Sequence, residues 1–278
     1  MSKILVVPSR LTEIEKLNSK KIDGLIFSIE NLSVNNSLFI TMDQLKRILP
    51  SINPDFEICI SLNKIMHNKD LEVLEQTLKE LSKLNVSKIF FYDLSVLNIS
   101  KRLKLKIDLV VSQDHLNASL NTNNFYYNRG IKYSLITNDI TLDEVLSIKK
   151  DSPIKIIMTI YGYLPIFYSR RYLISSYLEY INKSISEDFY YIKDKDDYYL
   201  IKEEENGTTI YTKNPINLIN YKDKLNILDY VILNSNYINV EEFNHILDAY
   251  INNKKIDNTY EGFINTKTIY KVKNNEQE

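Results

Sequence analysis

Short apolar runs recur along this chain at regular intervals, separated by longer amphipathic stretches, and that alternation narrows its possible folds more than anything else. The runs lie at residues 4–7, 24–28, 56–62, 88–92, 107–111, 132–136 and 154–160, and an eighth lies at 229–233. They read as strands buried on both faces, the kind found in parallel sheets covered by helices. Between them, residues 70–84 carry Leu71, Leu74, Leu78 and Leu81 at three- and four-residue steps, which is one face of a helix. Residues 42–49 follow Thr41 as an N-cap, and residues 141–149 open on Thr141 with Glu144 three positions later, a capping box. Val240–Ile251 is a further helix after the eighth strand. Eight strands in this order predict an α/β fold, a (β/α)8 TIM-barrel-like domain over residues 1–260 in preference to an open doubly wound sheet.

The pattern changes ahead of the eighth strand. Residues 189–192, 198–201 and 208–211 are short strands, and Asn206-Gly207 is a strong hairpin signal. This predicts a small antiparallel β-hairpin insertion at residues 186–212. The acidic run 203–205 reads as a solvated loop. Residues 261–278 read as a C-terminal strand, near 268–272, followed by a flexible tail.

Composition excludes several function classes. With Cys59 as its one cysteine, the chain has no internal disulfide and no thiolate set for an iron–sulfur cluster or structural zinc. Cys59 lies in a strand-like run and reads as a buried thiol. His67, His115 and His245 are too far apart in sequence to form a metal-spacing motif. No G-x-G-x-x-G or P-loop is present, so a dinucleotide or nucleoside-triphosphate site of those types is not expected. A net charge of -1 gives no overall basic field for nucleic acid, leaving any such contact to a local patch. One such patch is Lys101, Arg102, Lys104 and Lys106, which reads either as an RNA-backbone contact or as a solvated turn. No secretory or membrane-spanning segment is apparent, so the expectation is a cytoplasmic protein without a membrane partner.

The richest segment runs Tyr161-Gly162-Tyr163-Leu164-Pro165-Ile166-Phe167-Tyr168-Ser169-Arg170-Arg171-Tyr172-Leu173, where the seventh strand ends. Strand C-termini are where α/β proteins bind ligands. Arg170 and Arg171 offer planar forks for phosphate or carboxylate, with an ion pair to an acid such as Glu179 as the competing reading. Tyr161, Tyr163 and Tyr168 offer rings for stacking, or for core packing. Gln113 and His115 follow the fifth strand; Gln113 suits an amide or hydroxyl, and His115 a proton transfer. Asn63 and Asp139 occupy equivalent strand ends, as site residues or loop caps. Candidate catalytic residues are thus His115 and Asp139, and candidate substrate-binding residues are Arg170, Arg171, Tyr161, Tyr163, Tyr168, Asn63 and Gln113. No metal set stands out.

These segments resemble the U32 peptidase-like family, known also as collagenase-like proteases. Tyr161 to Leu173, continued by Ile174-Ser175-Ser176-Tyr177-Leu178, resembles that family's glycine–arginine segment. Ser112-Gln113-Asp114-His115-Leu116-Asn117 resembles its serine/threonine–glutamine–asparagine motif. Leu135 to Glu144 resembles its strand end and following helix, and Glu261-Gly262-Phe263 with Thr268 to Val272 its C-terminal end. The resemblance covers essentially the whole chain. It implies a TIM-barrel-like domain and, in place of proteolysis, oxygen-independent or prephenate-dependent hydroxylation of RNA or quinone precursors. One such reaction is 5-hydroxylation of the wobble uridine of tRNA. Many members hold an iron–sulfur cluster on four cysteines and some work in pairs. Where they place cysteines around the glycine loop, this chain has Tyr163 and Tyr172, and Asn138-Asp139 stands where they carry an arginine–glutamate pair. The resemblance therefore implies a short, cluster-free partner of a longer cysteine-bearing paralogue, with prephenate as a co-substrate and tRNA as a partner. The alternatives are a U32 peptidase, for which no nucleophile motif is visible, and a degenerate barrel serving as a binding scaffold.

Overall fold

Along each of eight strands, alternate side chains belong to two different cores, and this two-sidedness closes the sheet into a barrel. The computed structural model describes residues 1–266. The first half runs β1 (Lys3–Val7), α1 (Ile14–Leu17), β2 (Gly24–Ile29), β3 (Phe39–Ile40), α2 (Met42–Ile48), β4 (Glu57–Leu62), α3 (Leu71–Leu81), β5 (Lys88–Phe91), α4 (Leu94–Arg102) and β6 (Asp108–Val111). Next come α5 (Leu120–Tyr127), β7 (Tyr133–Leu135), α6 (Leu142–Asp151), β8 (Lys155–Gly162), β9 (Pro165–Ser169), α7 (Leu173–Tyr180), β10 (Tyr190–Asp194), β11 (Asp197–Glu204) and β12 (Gly207–Tyr211). The last elements are β13 (Ile216–Asn217), α8 (Lys222–Leu225), β14 (Tyr230–Asn234) and α9 (Val240–Ile251).

Parallel pairing runs β1-β2-β4-β5-β6-β7-β8-β14 and returns to β1, so the eight strands close as expected. Leu5, Ile26, Cys59, Phe90, Val110, Ile157 and Ile232 fill the inside. Their neighbours Ile4, Leu25, Ile58, Ile89, Leu109, Ile156 and Val231 face outward into the helix layer. On that outer side α3 contributes Leu74, Leu78 and Leu81, each fully buried, and such a side chain stabilises by roughly 1.5–3 kcal/mol. Both sequence-predicted caps form: Thr41 and Gln44 bond reciprocally, as do Thr141 and Glu144. Among the described residues no helix is long and apolar enough to cross a membrane.

The N-terminal end of the barrel is closed by charge and aromatic rings. Lys88, 3% exposed, ion-pairs with Glu57 and sits 4.6 Å from the centre of the Tyr230 ring and 4.9 Å from that of Tyr133. Glu57 also accepts from Lys3 at 2.5 Å and from the Tyr230 hydroxyl at 3.0 Å. Burial pushes the Glu57 carboxyl up, but the hydrogen bonds from Lys3 and Lys88 outweigh it and hold the group below its usual value.

Between β8 and β14 the chain builds a four-stranded antiparallel sheet, β10-β11-β12-β9. The expected hairpin is present, turning at Glu205-Asn206, but the sheet begins earlier, at Pro165: residues expected to form a loop are its edge strand β9. The helix α7 covers one face through Ile174 and Leu178 against Ile201. Of the acidic run, Glu205 is an exposed turn residue as expected, but Glu203 and Glu204 belong to β11 and are partly buried. Glu203 accepts from the backbone N–H of Ile174 at 2.8 Å and of Ser175 at 3.2 Å, and from the hydroxyls of Ser175 and Thr208. It thereby caps α7 from another strand, satisfying donors that a helix start leaves open. Glu204 is partly buried against Tyr237. Glu203→Ala is expected to cost about 1–2 kcal/mol and to lower the helix signal on urea titration. Of the basic patch, Lys101 and Arg102 end α4, with Arg102 paired to Glu75 at 2.5 Å. The strand expected near 268–272, with the tail, lies outside the described residues.

Candidate functional site

The C-terminal ends of the barrel strands surround a cavity of ≈150 Å³. The apolar interior forms its floor through Ile26, Phe90 and Ile232. Two residues further along the inward-facing side, the side chains turn polar: Ser61 follows Cys59, Ser112 follows Val110, Thr159 follows Ile157 and Asn234 follows Ile232. The start of the inserted sheet (Leu164, Pro165, Ile166) makes one wall. A strap at residues 260–264 makes another, tied down where Asn217 N–H donates to Tyr260 O at 2.8 Å and Leu142 N–H to Ile264 O at 2.9 Å.

His115 and Asp139 meet on the rim. Their side chains, from the segments after β6 and β7, share a short hydrogen bond between Nδ1 and a carboxylate oxygen. Thr137 Oγ1 donates to the same carboxylate at 3.1 Å. The bond from Asp139 raises the His115 imidazole above its ordinary value, and the same bond holds Asp139 low. The pair's contribution to stability is therefore complete between about pH 4, the unfolded aspartate value, and about pH 6.5, the unfolded histidine value; it is lost as pH rises through the raised histidine value and as pH falls through the lowered aspartate value. Asp139→Asn is expected to bring the His115 titration, followed by imidazole NMR, back down toward 6.5.

The other expected site residues are distributed more widely. Asn63 lines the cavity, but its amide is committed at both ends: Oδ1 accepts from Val34 N–H at 2.9 Å and Nδ2 donates to Val34 O at 3.0 Å. Tyr163 lines the cavity, half-buried, and burial raises its phenol. Gln113 turns away from it, bridging Tyr92 O at 3.1 Å and the Tyr126 hydroxyl at 2.8 Å. Tyr161, 2% exposed, faces the helix layer, where its hydroxyl donates to Glu242 at 3.2 Å and its ring packs near Phe243. A register shift in the β8–β14 pairing explains this: Thr159 and Tyr161 oppose consecutive residues, so Ile160 and Tyr161 both pack outward. Tyr168 lies in the inserted sheet and donates to Asn206 O at 2.6 Å. Arg170 and Arg171 are exposed at the end of β9 and do not line the cavity. The mouth thus gathers Asn63, His115, Asp139 and Tyr163, and leaves out Gln113, Tyr161, Tyr168 and the two arginines.

Sequence reasoning missed Ser61, Ser112, Asn138, Thr159 and Asn234. For Ser61, Ser112, Thr159 and Asn234 the signal was available: the strand changes from apolar to polar at its last inward position, and counting by twos from the barrel core identifies it; Asn138 lies in the loop beyond β7, off that count. Among the described residues the lining contains no lysine or arginine; its carboxylates are Asp114, Asp139 and Glu261. Cys59 is wholly buried inside the barrel, and burial pushes its thiol up to about 12.

The family model for peptidase family U32 matches residues 10–275. A protein of Bacillus subtilis (strain 168), "tRNA hydroxylation protein P2", is 26% identical over 127 residues, which is 46% of this chain and 41% of that protein. The match thus spans less than half of that relative's length. Among solved structures, orotidine 5'-monophosphate decarboxylase from Metallosphaera sedula aligns with 90% of this chain and 98% of its own at a TM-score of 0.45 and 12% identity.

Proposed function

The chain belongs to peptidase family U32, and on that premise we propose that it acts as a partner subunit in RNA modification, specifically 5-hydroxylation of the tRNA wobble uridine. Its similarity to a protein named for tRNA hydroxylation supports the reaction class. Cys59 carries the partner role. An iron–sulfur cluster takes several thiolates, and this chain has one cysteine, enclosed in the barrel as a thiol with its pKa pushed to about 12. The residues present do not fit a cluster, so one used in the reaction belongs to a longer, cysteine-bearing paralogue. Arg170 and Arg171, exposed just past the far end of β9 on the inserted sheet, are free to meet RNA phosphate.

The hydrolytic alternative has one feature in its favour, the His115–Asp139 pair, which has the geometry of a base and its orienting acid. It lacks the third member. Among the described residues no serine, threonine or cysteine side chain is hydrogen-bonded to His115.

Deleting the gene in its native host and measuring tRNA nucleosides by mass spectrometry tests the proposal. Loss of 5-hydroxyuridine-type nucleosides, restored by this chain but not by its Arg170→Ala/Arg171→Ala form, is expected. An unchanged nucleoside profile removes the role. Cleavage of a peptide library by the purified chain, abolished by His115→Gln, puts the hydrolytic reading in its place.

A further inference from the structure

We propose that the outer edge of the inserted sheet, strand β10, pairs with the same strand of a second copy of this chain, antiparallel about a two-fold axis at Ile192. No residue of the barrel mouth takes part, and the pairing does not depend on the RNA-modifying role.

The edge is open. β10 is the terminal strand of β10-β11-β12-β9 and pairs on one side only, from Tyr190 opposite Ile201 to Asp194 opposite Asp197. Among the described residues its backbone makes no hydrogen bond outside that ladder, so the N–H and C=O groups along its free side are a template for a further strand. The other edge of the sheet is blunted. β9 starts at Pro165, and its pairing with β12 shifts register between Ile210 and Tyr211. Proline and bulges both discourage further pairing. β10 has neither, and its register with β11 runs unbroken.

The surroundings of this edge are apolar. Tyr180, Ile185, Phe189, Tyr191, Ile192 and Tyr198 lie on β10, on β11 or on the segment that leads into them from α7, and each is 40–84% exposed. Phe189 and Tyr191 meet edge to face at 5.8 Å, and Lys193 Nζ lies 5.6 Å from the centre of the Tyr198 ring. At ~150–250 Å² for a large side chain, the open area of the six comes to roughly 500–800 Å², against about 800 Å² per partner in a standard interface. Apolar patches of this size mark interaction sites.

Charge and register select the occupant. From Tyr180 to Tyr198 the chain carries three lysines and five carboxylates, a balance that disfavours an RNA strand. Rings with few charges among them are what protein interfaces use at their centre. The strand is also complementary to itself. With Ile192 opposite Ile192 of the second copy, all five residues of β10 are paired, Tyr191 with Lys193 and Tyr190 with Asp194. Directly opposite residues share a face of the sheet, so each Tyr191 ring receives a lysine, the kind of contact Lys193 already makes with Tyr198. No pair sets like charges against each other. Centring on Lys193 does so at the axis, and centring on Tyr191 leaves Lys193 and Asp194 outside the strand pairing. A contact of this kind closes at two copies, because the same patch serves both sides.

Sedimentation velocity on the full chain at rising concentration provides the test. The 32.7 kDa chain is expected to shift toward twice that mass. Its Ile192→Lys form, which sets two like charges together at the axis, is expected to stay monomeric with an unchanged melting curve. Ile192→Cys reads the register. Directly opposite residues lie about 4.5–5.5 Å apart between Cα atoms, within disulfide reach, so mild oxidation should crosslink this variant into a covalent dimer. Asp194→Cys, whose copy lies well along the strand from it, should stay uncrosslinked, and the native Cys59 is buried. A chain that stays monomeric at every concentration, a dimer that survives Ile192→Lys, or equal crosslinking of the two cysteine variants overturns the proposal. If the monomeric chain retains a longer paralogue that Ile192→Lys loses, the edge belongs to that protein and self-pairing is overturned. Should Ile192→Lys lower the melting curve, the two cysteine variants decide. The nucleoside phenotype of the gene deletion stands or falls separately from all of these results.

Discussion

Lys88→Ala is expected to destabilise the protein by about 3–5 kcal/mol and to lower its melting temperature by roughly 6–20 °C. The lysine is enclosed among Glu57, Tyr133 and Tyr230 at the closed end of the barrel. Truncating it removes two ring contacts, leaves a void between aromatic faces and deprives the partly buried Glu57 of one of its two cations. Lys88→Met, which keeps most of the volume, should cost clearly less, because much of the alanine loss is packing. A difference within error between the two variants would mean that charge alone matters there. Acid provides an independent check. The Glu57 carboxyl is held below its usual value in the folded chain, so its contribution is complete above about pH 4.5. It is lost as pH falls through the lower folded value. Urea midpoints measured from pH 6 down to pH 3 should fall less steeply in Glu57→Gln than in the wild-type chain. Equal slopes would remove Glu57 as a source of acid sensitivity.

Gly162→Ala is the second large effect. Gly162 ends β8 at a φ of +127°, a backbone conformation that other residues rarely adopt. A Cβ built there would lie 2.7 Å from the carbonyl oxygen of Asn234 and 2.9 Å from its Cβ. Backbone strain and overpacking together are expected to cost about 2–5 kcal/mol. The displacement falls on Asn234, which lines the mouth. A melting temperature equal to that of the wild-type chain would show that β8 relaxes around the methyl group.

The barrel was legible because a strand buried on both faces needs an apolar residue at nearly every position, and seven such runs lie before residue 161. The helix α3 was legible from its leucine stripe. The helix α5, Leu-Asn-Thr-Asn-Asn-Phe-Tyr-Tyr, was not, since its buried residues are Asn123 and Tyr126 and no apolar stripe marks a face. The inserted sheet was half legible. Asn206-Gly207 marks its hairpin, but β9 contains the Pro, Tyr and Ser that equally suit a loop, and only pairing with β12 makes it a strand. At the mouth, His115 and Asp139 lie 24 residues apart, and sequence proposed each without pairing them. Tyr161 was misplaced by a single register shift, which no local composition announces. Glu203 misled for a different reason: an acidic run looks solvated until the chain brings a helix N-terminus to it.

The short pairing of β13 with β8, Ile216 opposite Gly162, brings together the points where the chain leaves the barrel and where it returns. About fifty residues are thus hung from a neck two residues wide. Closing a loop across so short a gap costs little, and the cost grows slowly with the number of residues carried. Descendants of this gene are therefore free to enlarge, shrink or exchange the hanging sheet while the barrel keeps its own closure. The wall it gives the mouth, and with it the choice of what enters, is the part of the molecule most open to evolutionary revision.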